Sequence, residues 1–320
     1  MPHWTHTQYP KALGPAFTKE IRKNIQVDID EVKPEIFLLG NSVLNDGIDP
    51  EQFEALTGKK VLQYGIPGSA SAYWYLVIKN NIVTASSSPE YLLLFFLDNL
   101  LTKPEGGVNG HYLPLIDEIA DDDEQVLLQK AYINQLNPIE AYLDSHIPLF
   151  GERQTVKNKI DNRIKYTLPQ LLLKCNKPCL DDALDISFDQ KNMLPQTFQR
   201  MEIENMSRSD QEWVFFAQID RSFLPDIIRL TNERGIKIVL VREKNEKIFS
   251  IAYESLQTRK YFSDLENYLT TQCVPLLDFS HDPALTSDLF HDEMHLNQRG
   301  KEIFTQLVAD EFLSLFDQRQ

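Results

Sequence analysis

The 320-residue chain has no surplus of positive charge: 32 Lys and Arg face 47 Asp and Glu, for a formal net charge of -15. Contacts from Lys and Arg to phosphates dominate nucleic-acid binding, so nucleic acid is not an expected partner. The chain also has little in the way of long apolar runs. A bilayer span needs roughly 20 apolar residues, and the longest run near a predicted strand is Tyr91 to Leu97. No membrane span is expected within the chain. The stretch Met1-Pro2-His3-Trp4-Thr5-His6 lacks the charged and apolar regions of a signal peptide. Two expectations stay open on that evidence: a cytoplasmic protein, or a cell-envelope protein whose anchor or signal has been removed. Cysteine is scarce, with three in all. Cys175 and Cys179, which bracket Asn176-Lys177-Pro178, are expected as free thiols, with a disulfide the alternative in an oxidising compartment. Cys273 stands alone. Internal repeats and low-complexity tracts are absent.

What the chain does have is ample apolar material, 42% of its residues, in short runs that alternate with helical segments. That alternation predicts a parallel sheet covered by helices on both faces. Strands are expected near 35–39, 60–65, 91–97, 236–242 and 274–279. Asp49 as N-cap, Pro50 at the first helical position, Gln52 completing a capping box and Gly58 past the end predict a helix between the first two strands. A second helix is expected from Ser222 to Arg234, ending at Gly235. A last one is expected from Asn297 to Phe316, with Ile303, Phe304, Leu307, Val308 and Phe312 on its buried face. Residues 103–210 fit no strand-helix alternation and are expected to form a mainly helical insertion, a lid, substrate wall or structural element. Its acidic run, Asp121 to Glu124, is read as a solvated helix start. The α/β domain then comprises residues 1–102 and 211–320.

Two segments carry chemistry. In Phe290-His291-Asp292-Glu293-Met294-His295-Leu296-Asn297-Gln298-Arg299-Gly300, Asp292 and His295 stand three apart just before a helix, a spacing that can aim a carboxylate at an imidazole. Far upstream, Gly40-Asn41-Ser42 follows the strand-like Glu35-Ile36-Phe37-Leu38-Leu39, so a serine sits where a strand turns toward a helix. A small polar residue there is by itself ordinary turn or cap chemistry. It gains meaning because Gly68, Asn99 and His295 each fall just beyond another predicted strand. In a parallel α/β sheet such positions gather at one edge, where ligands bind.

These residues resemble the SGNH (GDSL-like) hydrolases. Gly40-Asn41-Ser42 is similar to the first block of that family, and the resemblance implies Ser42 as nucleophile. Gly65-Ile66-Pro67-Gly68-Ser69-Ala70 looks like the second block, with Gly68 giving an amide to an oxyanion hole. In Phe96-Leu97-Asp98-Asn99, Asn99 matches the third block, whereas Leu97 stands for its glycine and Leu100 for its aspartate. Asp292, His295, Asn297 and Gly300 match the fifth block. The resemblance covers residues 35 to 102 and about 213 to 316. It implies a flavodoxin-like three-layer α/β sandwich with a five-stranded parallel sheet and a helical insertion. It further implies a Ser42-His295-Asp292 triad, an oxyanion hole from Ser42, Gly68 and Asn99, and no metal or organic cofactor. The expected activity is that of an O-acyl esterase or O-acyltransferase acting on a small-molecule or glycan ester, by analogy with relatives that act on acylated bacterial surface glycans.

Rival readings differ at identifiable residues. His291 and His295, four apart, would be a zinc pair on a helix. Here the second position is Asp292 rather than Glu, and the helix is expected to start only at Asn297. The Gly-x-Ser-x-Gly elbow of α/β-hydrolases is not matched, because Val43 and Leu44 follow Ser42. An inactive SGNH-like fold that binds a glycan or partner is the alternative motivated by Leu97. Tyr73, Trp74 and Tyr75 are expected in the core more than in a sugar site. Arg242 is expected in a structural ion pair. His3, His6, His111, His146 and His281 are expected to be surface or packing residues.

Overall fold

The computed structural model describes residues 9–19, 22–151, 213–245 and 254–317. The chain divides into two compact units, residues 14–135 with 213–320, and residues 1–13 with 136–212. In the smaller unit, the helix Pro138–His146 begins in a capping box, Asn137 accepting from the amide of Glu140 while Glu140 accepts from that of Asn137. The cysteines Cys175 and Cys179, the histidines His3 and His6, and residues 152–210 of the expected helical insertion lie outside the described residues.

The larger unit contains α1 (Ile25–Val32), β1 (Ile36–Gly40), α2 (Ser42–Gly47), α3 (Pro50–Thr57), β2 (Val61–Gly65), α4 (Ser71–Val77), β3 (Tyr91–Phe96) and α5 (Leu113–Ile119). It continues with α6 (Leu224–Arg234), β4 (Lys237–Arg242), α7 (Leu256–Thr271), β5 (Leu276–Asp278) and α8 (Gln298–Asp317). The five strands form one parallel sheet in the order β2-β1-β3-β4-β5. That is the flavodoxin-like order, and all five strands lie within two residues of the predicted positions.

Strand side chains alternate between two cores, as the pleat requires. Phe37, Leu39, Leu92, Leu94, Phe96, Ile238 and Leu240 face one layer with Ile25, Trp74, Ile227 and Leu265 of α1, α4, α6 and α7. Ile36, Leu38, Leu93, Phe95, Val239 and Val241 face the other with Leu44, Phe53, Phe304, Val308 and Phe312 of α2, α3 and α8. Apolar residues buried on both sides explain why β1 and β3 read as continuous apolar runs. Tyr73, Trp74 and Tyr75 are all buried in the first core, where sequence expected them.

Two expectations are corrected in detail. Asp49 does cap α3, accepting from Glu51 and Gln52, but Gln52 does not close a capping box. Its amide donates instead to the Glu302 carbonyl at 3.0 Å, and the Asp49 amide donates to Thr305 Oγ1 at 2.9 Å. The docking of α8 takes both bonds. The acidic run is not wholly solvated either: Glu124 is 1% exposed and accepts from Lys79, Asn80 and the Asp121 amide at 2.8–3.0 Å. A buried carboxylate with that many donors anchors the start of the helical turns Gln125–Leu127 and Leu128–Tyr132.

Candidate active site

Each residue of the Gly40-Asn41-Ser42 turn has a physical reason. A Cβ on Gly40 would meet Leu44 at 2.9 Å and Phe95 at 3.1 Å, so only glycine lets α2 fold back this closely over the strand. The Gly40 carbonyl accepts from the Ile66 amide and from Ser69 Oγ, both at 3.1 Å, which ties the loop after β2 to the end of β1. Asn41 is extended and caps α2, its side chain accepting from Val43 at 3.1 Å. That leaves Ser42 as the first helical residue, its amide among the donors that have no carbonyl partner within a helix.

The loop after the short 3₁₀ turn Ser287–Leu289 is equally determined. A bridge pairs Phe290 with Leu296, and the His291 amide donates to the His295 carbonyl at 3.0 Å. Asp292 Oδ1 accepts from the amides of Met294 and His295, each at 2.8 Å. Asn297 then caps α8 through the Gly300 amide at 3.0 Å and donates to the Asp288 carbonyl at 2.8 Å. A Cβ on Gly300 would lie 2.4 Å from the Leu289 carbonyl, which accounts for glycine at that position.

These two segments meet. Asp292 Oδ2 lies 2.8 Å from His295 Nδ1, and His295 Nε2 lies 2.9 Å from Ser42 Oγ, across 253 positions of sequence. Burial pushes the Asp292 carboxyl up, but the Met294 amide, the His295 side chain and the His295 amide outweigh it and hold the group below its ordinary value. An ionised Asp292 accepting from Nδ1 leaves Nε2 as the ring nitrogen that can take a proton from Ser42.

Gly68 and Asn99 follow the same edge of the sheet. Gly68 has φ +74°, in the left-handed region, and a Cβ there would lie 2.2 Å from Tyr112. Ser69 beside it receives the indole N–H of Trp74 at 3.0 Å, so the core residue Trp74 also steadies this loop. Past β3 the left-handed residue is Asp98, at φ +48°, and not the position of Leu97 where the SGNH block carries glycine. Asp and Asn tolerate that conformation better than other side chains. Asn99 is 8% exposed and its carbonyl accepts from Thr102 at 3.0 Å. The Asp98 carboxyl is raised by burial against the pull of Arg242 and Asn245. Arg242 is held by Asp278 at 3.0 Å and Glu254 at 3.4 Å with its guanidinium over the Phe262 ring, a structural ion pair.

Two residues at this edge, Glu243 and Asp46, escaped sequence reasoning, whereas His291 entered it only as half of a helical zinc pair. Glu243 follows β4, its amide bonded to the Phe96 carbonyl, and its carboxylate lies beneath α2, where Oε1 has no hydrogen-bond partner. Burial, aided by the nearby charge of Asp46, drives its carboxyl well above the ordinary range. Asp46 and His291 each bring a ligating atom to within 4.8 Å of one on His295. A carboxylate just past a strand end was the available signal for Glu243. Asp46 required only counting one helical turn from Ser42. A cavity of about 280 Å³ lies at the opposite edge, near Lys237 and Cys273, remote from these groups.

No family model and no curated protein matches the chain. Among solved structures, it is similar to a candidate acylhydrolase from Bacteroides fragilis, with 12% identity, coverage of 87% of each chain and a TM-score of 0.37. It is likewise similar to a candidate lipolytic protein of the G-D-S-L family from Desulfitobacterium hafniense, with 9% identity, 86% of this chain, 97% of that chain and a TM-score of 0.38. A GDSL-like lipase from Bacteroides thetaiotaomicron shows 9% identity, 89% and 91% coverage and a TM-score of 0.38.

Proposed function

We propose that the protein is a serine-dependent O-acyl esterase or O-acyltransferase, with Ser42 as nucleophile, His295 as general base and acid, and Asp292 as the group that orients the imidazole. The observation that carries this reading is the chain of two hydrogen bonds, 2.8 and 2.9 Å, from Asp292 through His295 to Ser42. A hydroxyl is a weak nucleophile at neutral pH, and an imidazole at this distance can accept its proton as Oγ attacks an acyl carbonyl. The oxygen of the tetrahedral intermediate gains charge, which the amides of Ser42 and Gly68 and the side chain of Asn99 stabilise. His295 then gives the proton to the leaving alcohol, and the acyl group stays on Oγ. Water or a second hydroxyl, activated by the same Nε2, takes the acyl group in the second half.

Resemblance to the SGNH blocks favours an ester of an alcohol as substrate, with an acylated glycan as the specific candidate. The decisive test is hydrolysis of p-nitrophenyl acetate by the wild type and by Ser42→Ala. Loss of activity by about 10⁴-fold or more is expected, with an unchanged melting temperature. Labelling of Ser42 by a fluorophosphonate should vanish in the same variant. Equal turnover in Ser42→Ala overturns the catalytic assignment, and a wild type inert to both reagents favours a binding protein. Feeding an acyl donor with and without glycan acceptors, and following the acyl group by mass spectrometry, separates transferase from hydrolase.

A further inference from the structure

The side chains around His295 include two more groups that bind metals. Asp46 lies four residues after Ser42 on α2, one helical turn along the same face. His291 is exposed, and its ring stacks on that of His295 with centroids 5.7 Å apart and planes 11° from parallel. One ligating atom each from Asp46, His291 and His295 lies within 4.8 Å of the others, the one such group among the described residues. The loop is pinned by the Phe290 to Leu296 bridge and by the bond from the His291 amide to the His295 carbonyl, so both imidazoles are held on one side of it.

The chemistry of the set selects the ion. Two imidazoles and one carboxylate with an open fourth position suit Zn²⁺, and a tetrahedral site with bonds of about 2.1 Å needs its ligand atoms about 3.4 Å apart. Rotation of the exposed His291 side chain supplies the remaining approach. Nδ1 of His295 is already held by Asp292 at 2.8 Å, so the nitrogen left for a metal is Nε2. A carboxylate behind a metal-bound histidine is also the arrangement that fixes such a ligand's tautomer and raises its basicity. Nε2 is the atom that faces Ser42 Oγ.

We propose that Asp46, His291 and His295 form a site for a divalent cation of the zinc class, and that its occupation inhibits the enzyme by taking Nε2 of His295 away from Ser42. A metal–nitrogen bond forms on the Nε2 lone pair, the Ser42 hydroxyl keeps its proton and loses its acceptor, and chelation reverses both changes. The inhibitory half rests on the serine-dependent reading above; the binding half does not. Hard cations such as Ca²⁺, which prefer oxygen ligands, do not compete.

The test uses the whole chain, stripped with a chelator, in two parallel measurements. Zinc affinity is read by competition with a chromophoric zinc indicator for the wild type, Asp46→Ala and His291→Ala. Hydrolysis of p-nitrophenyl acetate is titrated with zinc, each protein compared with itself without metal. One zinc per chain is expected for the wild type, with a matching loss of activity restored by EDTA. Either variant should need about tenfold more zinc or beyond for both binding and inhibition. Wild-type binding that both variants retain within twofold, or no stoichiometric binding, overturns the site. Binding that the variants weaken, with wild-type hydrolysis untouched by saturating zinc, overturns the inhibition. A wild type without esterase activity whose zinc binding still depends on Asp46 and His291 defeats the catalytic reading and the inhibition, and leaves the metal site standing.

Discussion

At the amino-terminal edge of the sheet Lys59 reaches Glu35 and Glu90 at 3.3 and 3.4 Å, and Lys237 reaches Glu90 at 3.0 Å, all in contact with water. At the carboxyl-terminal edge Glu243 is buried with one oxygen unpartnered, Asp98 holds a left-handed backbone, and a hydroxyl stands beside an imidazole. The strands that end in these two ways are the same. Lys237 on the first edge is raised chiefly by its bond to Glu90, whereas Glu243 on the second is raised chiefly by loss of water. Neutralised surface charge adds little and costs little. Buried, strained polar groups lower stability, and they concentrate where chemistry needs groups poised away from their resting preferences.

The sharpest way to break that contrast is to remove groups from the second edge. Asn99→Ala should lower the rate of ester hydrolysis by about 100-fold to 1000-fold with little change in KM, as loss of one oxyanion donor does; an unchanged rate removes Asn99 from the hole. Gly68→Ala combines a strained backbone at φ +74° with a Cβ 2.2 Å from Tyr112. It should cost about 1–2 kcal/mol in backbone strain alone, visible as a lower denaturation midpoint, along with most of the activity.

Glu243→Gln tests burial directly. Between the ordinary value of 4.5 and its raised folded value, Glu243 keeps a proton when folded that the unfolded chain has released. Its contribution is therefore fully present below the ordinary value and is lost as pH rises through the window. Glutamine cannot ionise, so the variant should gain on the wild type as pH rises above the ordinary value of 4.5 toward the raised folded value, by up to about 1.4 kcal/mol per unit of separation. Parallel urea midpoints across that range would remove the claim. The smallest effect belongs to the first edge: Lys237→Ala should change stability by about 0.2–1 kcal/mol, less in high salt, and leave ester hydrolysis alone.

Much of the fold was legible because each strand is short, apolar and closed by recognisable punctuation. Gly58 and Gly235, both left-handed at φ +65° and +74°, end α3 and α6 where their glycines predicted. The helix α7 carried no such mark, since its N-cap Ser255 is followed by a mixed polar sequence and its apolar face, Tyr261, Phe262 and Leu265, is spread among charges. At the site, Asp292 and His295 were readable because their contact is local. Asp46 and Glu243 were not, because the first depends on which face α2 presents and the second on what packs above the end of β4. Gln52 misled for a related reason: a capping box is a local rule, and the carbonyl of Glu302, 250 residues away, offered a competing acceptor.

The bonds from α8 to the α2 and α3 region have a temporal consequence. Thr305 takes the Asp49 amide, Glu302 takes Gln52, and Lys301 reaches the Asn45 carbonyl at 2.7 Å. A growing polypeptide that has left the ribosome through β4 already owns its serine but not the imidazole that would arouse it. On the proposed reading, the nascent protein stays inert toward esters until α8 has been synthesised and has clamped down.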